Sequence, residues 1–129
     1  MSSAVKQKPR SKLAKKILVV EDEGETGLTL NLILSEKDLE MDYVKTLLEA
    51  DEYLQKNQPA IILLDNKLPD GYGVDFISYI KKRYPTIKII MISGFSSARD
   101  VALNNGADIF LEKPFSIEKV NEAIDTVLA

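Results

Sequence analysis

Ile61-Ile62-Leu63-Leu64-Asp65-Asn66-Lys67-Leu68-Pro69-Asp70-Gly71 is the stretch that decides the fold: an unbroken apolar run stopped by a carboxylate and followed by a cluster of turn formers. Continuous apolarity over four or five residues marks a strand buried on both faces, the habit of parallel sheets. The same pattern recurs on either side. Ile17-Leu18-Val19-Val20 stops at Glu21-Asp22-Glu23, Ile87 to Ile92 stops at Ser93, and Ile109-Phe110-Leu111 runs on to Lys113. Residues 39–45 read as a more polar strand. Between these runs, residues 25–36, 46–57, 73–84, 97–105 and 116–128 carry apolar residues at helical spacing, with Pro85 closing the third and Asn105-Gly106 the fourth. Five strands alternating with five helices predict a three-layer α/β/α sandwich around a parallel sheet joined by right-handed crossovers.

In such sheets ligands bind beyond the carboxyl ends of the strands, near the switch in strand order. Glu21, Asp22, Asp65, Ser93 and Lys113 each stand at or just past the end of a different apolar run. Three carboxylates brought together repel one another unless a cation neutralises them. Magnesium suits such a set, since it takes oxygen ligands and keeps several waters. The expected arrangement has Asp22 and Asp65 as direct ligands and Glu21 acting through water. A carboxylate can also serve as a nucleophile and form an acyl phosphate. Lys113 then supplies a cation for the phosphoryl oxygens, and Ser93 a hydroxyl donor.

Composition narrows the alternatives. The chain has 129 residues, the size of one domain, with neither cysteine nor histidine. Disulfides, thiolate or imidazole metal sites, a phosphohistidine acceptor and a Ser-His-Asp triad are therefore excluded within it. Six of the 17 basic residues lie in residues 1–16, where there is no acid, so the rest of the chain sets 11 basic against 20 acidic residues and carries −9. An acidic body argues against direct nucleic-acid binding. Residues 1–16 read as a basic, disordered leader, with weak attraction to an anionic surface as the alternative. Residues 17–129 form the folded unit. No stretch is long enough to span a membrane, and a cytoplasmic location is expected.

Taken together the motifs resemble the receiver domains of two-component response regulators, of the single-domain, chemotaxis-regulator-like kind. Val19-Val20-Glu21-Asp22-Glu23 resembles the first-strand acidic pair, and Asp65 with Leu68-Pro69-Asp70-Gly71 the phosphoacceptor and its loop. Met91-Ile92-Ser93-Gly94 resembles the fourth-strand Ser/Thr site. Gly106-Ala107-Asp108 through Glu112-Lys113-Pro114-Phe115 resembles the fifth-strand lysine motif. The resemblance covers about 113 of the 129 residues. It implies a flavodoxin-like sheet of order 2-1-3-4-5 and a phosphorylation switch, not an enzyme, with self-phosphorylation and slow self-dephosphorylation only.

By the same resemblance, Asp65 takes phosphate from a sensor histidine kinase or histidine phosphotransfer protein. Mg2+ is held by Asp22, Asp65 and the backbone carbonyl of Lys67. Ser93 and Phe110 are the switch residues, and the Lys113–Pro114 bond is cis. A downstream effector docks on the face made by the helix over 97–105, the strand at 109–111 and the helix over 116–128. The protein is a monomer or a phosphorylation-dependent dimer. Two positions depart from the usual pattern: Glu21 stands where Asp is frequent, and Phe110 where Tyr is common. Two other readings remain. One is a receiver-like module that signals by binding alone. The other is a phosphohydrolase with an aspartyl-phosphate intermediate, which needs an acid two residues after the nucleophile, where this chain has Lys67. No room is left for an output domain after the last helix, so a stand-alone receiver or a fragment is expected.

Overall fold

The structure is a computed structural model that describes residues 15–24, Asn31, Leu34 and 37–129. Five strands build one parallel sheet: β1 (Lys15–Val20), β2 (Leu39–Val44), β3 (Ile61–Asp65), β6 (Lys88–Ser93) and β7 (Ile109–Glu112). Their order is β2-β1-β3-β6-β7. With the short hairpin β4 (Lys67–Leu68) and β5 (Gly71–Tyr72) set aside, this is the expected 2-1-3-4-5 order. Four α-helices lie among the described residues: α1 (Leu47–Lys56), α2 (Ile77–Arg83), α3 (Ala98–Asn105) and α4 (Ile117–Leu128). The helix expected over 25–36 falls largely outside the described residues, and so does the leader up to residue 14. Lys15 and Lys16, assigned to that leader from sequence, instead open β1.

Strand alternation divides the core in two. Ile17, Val19, Ile61, Leu63, Ile90 and Ile92 face one way and pack with Val120, Ala123, Ile124 and Val127 of α4. Leu18, Val20, Ile62, Leu64, Ile89 and Met91 face the other way, against Ala50 and Leu54 of α1, Ile77 and Ile80 of α2, and Ala102 of α3. All twelve sheet residues are fully buried, which explains why neither polar alternation nor an exposed face was visible in their sequence. Each such aliphatic side chain contributes about 1.5–3 kcal/mol by leaving water.

Local chemistry sets the helix ends. Thr46 caps α1 by accepting from Glu49 N, and Ser116 caps α4 by accepting from Lys119 N. The helix expected over 73–84 is interrupted: Gly73–Asp75 form a 3-10 turn, and the α-helix begins only at Ile77. The loop read as turn formers holds the β4–β5 hairpin, which pairs Lys67 with Tyr72 and Leu68 with Gly71. The chain crosses from β1 to β2 on one side and to β3 on the other. The order therefore switches between β1 and β3, with Asp22 and Asp65 at their carboxyl ends.

Candidate functional site

Asp65 is the last residue of β3 and is only 6% exposed. A buried carboxylate is tolerable when it is paired and hydrogen-bonded. Here Lys113 Nζ lies 3.1 Å from Oδ2, and Asn66 N donates to Oδ1 at 2.8 Å. The backbone fixes this pairing. Asn66 N donates to Ile92 O and Lys113 N donates to Ser93 O, so the exits of β3, β6 and β7 are stitched together at the sheet end. The Lys113–Pro114 bond is cis, as the resemblance implied.

A cavity of about 310 Å³ opens above Asp65, lined by Asp22, Glu23, Asp65, Lys67, Ser93, Gly94, Phe95 and Lys113. Asp22, Asp65, Ser93 and Lys113, singled out from four separate motifs, thus meet in one place. Ser93 is buried, and its Oγ accepts from Phe95 N at 3.1 Å. The Lys67 ammonium sits 5.4 Å from the centre of the half-exposed Phe95 ring, a cation–π contact at the cavity mouth.

Glu21 departs from expectation. Its backbone N–H donates to Val44 O, which prolongs the β1–β2 ladder by one step, and its buried side chain does not line the cavity. Its charge is felt at Tyr43 instead: burial first, then Glu21 and Asp22, hold that phenol above its ordinary pKa. Glu23 lines the cavity in its stead. Among the described residues no three carboxylates gather closely enough to hold a metal ion. Direct ligation was expected of Asp22 and Asp65 alone, with Glu21 acting through water, and one or two carboxylates with water are what magnesium commonly takes.

The loop beyond Asp65 folds tightly back on it. Gly73 N donates to Asn66 O at 2.7 Å, and Asn66 Oδ1 accepts from Val74 N at 3.1 Å. A Cβ on Gly73 would stand 2.3 Å from the Asp65 carbonyl oxygen, so only glycine fits there. Neither Asn66 nor Gly73 had been singled out from sequence.

Phe110 is buried in the core face shared with Met91 and Ala102, and the Arg99 guanidinium lies 5.8 Å from its ring centre. A second cavity of about 460 Å³ runs past it between α3, β7 and α4, lined by residues that include Arg99, Phe110, Phe115 and Lys119. Lys113 lines both cavities.

A buried carboxylate paired with a lysine, a second acid and a buried hydroxyl at the switch point of this sheet correspond to a known family. The model for the response regulator receiver domain matches residues 17–125. The chain belongs to that family. Response regulator protein PilR of Pseudomonas aeruginosa is 33% identical over 115 residues, covering 88% of this chain and 26% of that protein. The phosphate regulon transcriptional regulatory protein PhoB of Escherichia coli is 32% identical over 120 residues, covering 90% of this chain and 52% of that protein. The receiver chain thus spans from about a quarter to about half of these relatives. Among solved structures, the beryllofluoride-activated NtrC4 receiver domain dimer is 38% identical with a TM-score of 0.80, covering 87% of this chain and 94% of that one. A CheY-like receiver domain protein from Methanospirillum hungatei JF-1 is 28% identical with a TM-score of 0.82, covering 89% and 94%. The flavodoxin-like α/β fold is shared. No helix among the described residues is long and apolar enough to cross a membrane.

Proposed function

We propose that this receiver domain is a phosphorylation-activated switch in which Asp65 accepts a phosphoryl group from a phosphohistidine of a sensor histidine kinase or phosphotransfer protein. The observation that carries the reading is the Asp65–Lys113 pair, 3.1 Å apart in a cavity that also holds Asp22 and Ser93. An Asp65 carboxylate oxygen attacks phosphorus, the bond to the donor's imidazole nitrogen breaks with its electron pair going to that nitrogen, and the ring, already protonated on its other nitrogen in the phosphohistidine, leaves as neutral imidazole. Lys113 offsets the charge spread over the phosphoryl oxygens. Ser93 Oγ now accepts from Phe95 N; its own proton is free to be donated to a phosphoryl oxygen.

The donor set fits Mg2+: Asp22, Asp65 and the backbone carbonyl of Lys67 would hold it, all hard oxygens beside the cavity. When bound, the ion would supply positive charge that, with Lys113, neutralises the phosphoryl oxygens. Ser93 and Phe110 are the residues through which the change reaches α3, β7 and α4. There the cavity flanked by Arg99 and Lys119 is the surface for an effector or a second copy, used after a shift between two populations. The beryllofluoride-activated dimer described for the NtrC4 receiver is in keeping with this. A cytoplasmic location follows from a kinase donor and suits a chain without cysteine.

The test is direct. The protein is incubated with a small acyl phosphate and Mg2+ and weighed. A gain of one phosphoryl group in the wild type and none in Asp65→Asn is expected. An equal gain in both, or none in either, overturns the reading.

A further inference from the structure

The motif Leu68-Pro69-Asp70-Gly71 is left over by the chemistry above. Asp70 is exposed and does not line the cavity. Its carboxylate nonetheless makes two bonds across 22 or 23 residues, Oδ1 accepting from Leu47 N and Oδ2 from Leu48 N, each at 2.9 Å. These are the first two N–H groups of α1.

Helix capping alone does not account for this. The helix already has a local cap: Thr46 Oγ1 accepts from Glu49 N at 3.0 Å, and Glu49 Oε1 accepts from Lys45 N at 2.8 Å. What Asp70 adds is a link between α1 and the β4–β5 hairpin. That hairpin has only two residue pairs, and a two-stranded ribbon of this size needs outside support. Its open end has such support, from Gly73 N to Asn66 O and from Val74 N to Asn66 Oδ1. Its turn end is anchored by Asp70, and there the backbone approaches α1 closely. A Cβ on Gly71, whose φ is +152°, would stand 3.0 Å from Leu47 Cδ1. Lys67 lies between the two anchors, two residues after Asp65 and paired with Tyr72.

We propose that Asp70 is a positioning residue for the phosphoacceptor cavity: by tying the hairpin to the first turn of α1, it fixes where the Lys67 backbone carbonyl stands beside Asp65, and so sets the affinity for Mg2+. The proposal rests on the magnesium reading given above. Charge makes the link directional, because a carboxylate is the group best matched to a helix N-terminus. The hairpin therefore docks turn-first on α1, and no cavity residue needs to touch Asp70.

The experiment compares Asp70→Ala, Asp70→Asn and Thr46→Ala in the full chain. Mg2+ titrations are followed by the Lys67 carbonyl chemical shift, and phosphorylation rates are measured against Mg2+ concentration. Asp70→Ala is expected to raise the Mg2+ midpoint about tenfold, the lower end of the loss on removing an outer support of a metal site. The phosphorylation rate at saturating Mg2+ stays near that of the wild type. Asp70→Asn, which keeps one acceptor oxygen, falls between and serves alone if the alanine variant does not fold. Thr46→Ala uncaps the same helix without touching the hairpin, so it lowers the unfolding temperature and leaves the midpoint in place. A wild-type midpoint in both Asp70 variants overturns the proposal, as does an equal shift in Thr46→Ala. Wild-type protein that binds no Mg2+ and accepts no phosphoryl group overturns the functional reading itself.

Discussion

The loop that follows Asp65 is fastened at both ends and at its turn, whereas the loop that follows Ser93 is fastened mainly to itself. In the first, Asn66, Asp70 and Gly73 bind residues of β6, α1 and the loop's own start. In the second, Phe95 N turns back to Ser93 Oγ, Ala98 N reaches Phe95 O, and Arg99 N reaches Ser96 O. Across to the first loop it offers the Phe95 ring to the Lys67 ammonium. The two glycines make the contrast concrete: a Cβ at Gly73 would meet backbone at 2.3 Å, and one at Gly94 would meet nothing within 4 Å. On the proposed function, Asp65 as nucleophile has to be held still, whereas Ser93, reading the phosphoryl oxygen, needs room to turn. The two loops divide these tasks.

Substitutions probe that division. Gly73→Ala is the most damaging, since the backbone at Asp65 has to yield: a loss of about 3 kcal/mol in urea unfolding is expected, with slower acyl phosphate formation. Asn66→Ala leaves Val74 N without its acceptor and costs about 2 kcal/mol in the same measurement. Ser93→Ala loses the bond to Phe95 N, about 1 kcal/mol, and with it the hydroxyl proposed to meet the phosphoryl group. Its acyl phosphate forms more slowly, as mass spectrometry over time would record. Gly94→Ala changes stability by less than about 0.5 kcal/mol and leaves phosphorylation intact. A Gly94 effect as large as that of Gly73 would erase the contrast between the loops.

Acid gives the mildest probe. The bond from Leu47 N, opposed next by burial and then aided by Leu48 N, holds the Asp70 carboxyl below its ordinary pKa. A depressed carboxylate contributes stability that is complete above its unfolded pKa and is lost as pH falls through the lower folded value. The Leu47 and Leu48 amide shifts are therefore expected to hold through the usual carboxylate range and move only below it. Movement within that range would mean that the hairpin is not tied to α1.

The buried runs were legible because parallel strands covered on both sides are apolar throughout. Each one's polar stop marked the sheet end, so Asp22, Asp65, Ser93 and Lys113 could be named before any contact was known. The supports around them were not legible. Whether Glu21 or Glu23 enters the cavity depends on one extra ladder bond to Val44, and nothing in Glu-Asp-Glu announces it. Asp70 looked like a turn former because its partners lie on α1, over 20 residues away. The break before Ile77 was hidden by helical periodicity that runs straight through Gly73–Asp75.

At the other end of the sheet, Asp108 Oδ2 accepts from Ile89 N at 2.8 Å and from Lys81 Nζ at 2.9 Å, and Lys81 Nζ also reaches Ile87 O. This cluster clamps β6 at its root. A beam held there cannot slide along its length without breaking the bonds at Ile87 O and Ile89 N, so the Ser93 side chain, at the tip, has rotation as its remaining freedom. Sliding is barred at both ends: the strand is a beam pinned at root and tip, and the Ser93 side chain is the part left to swivel.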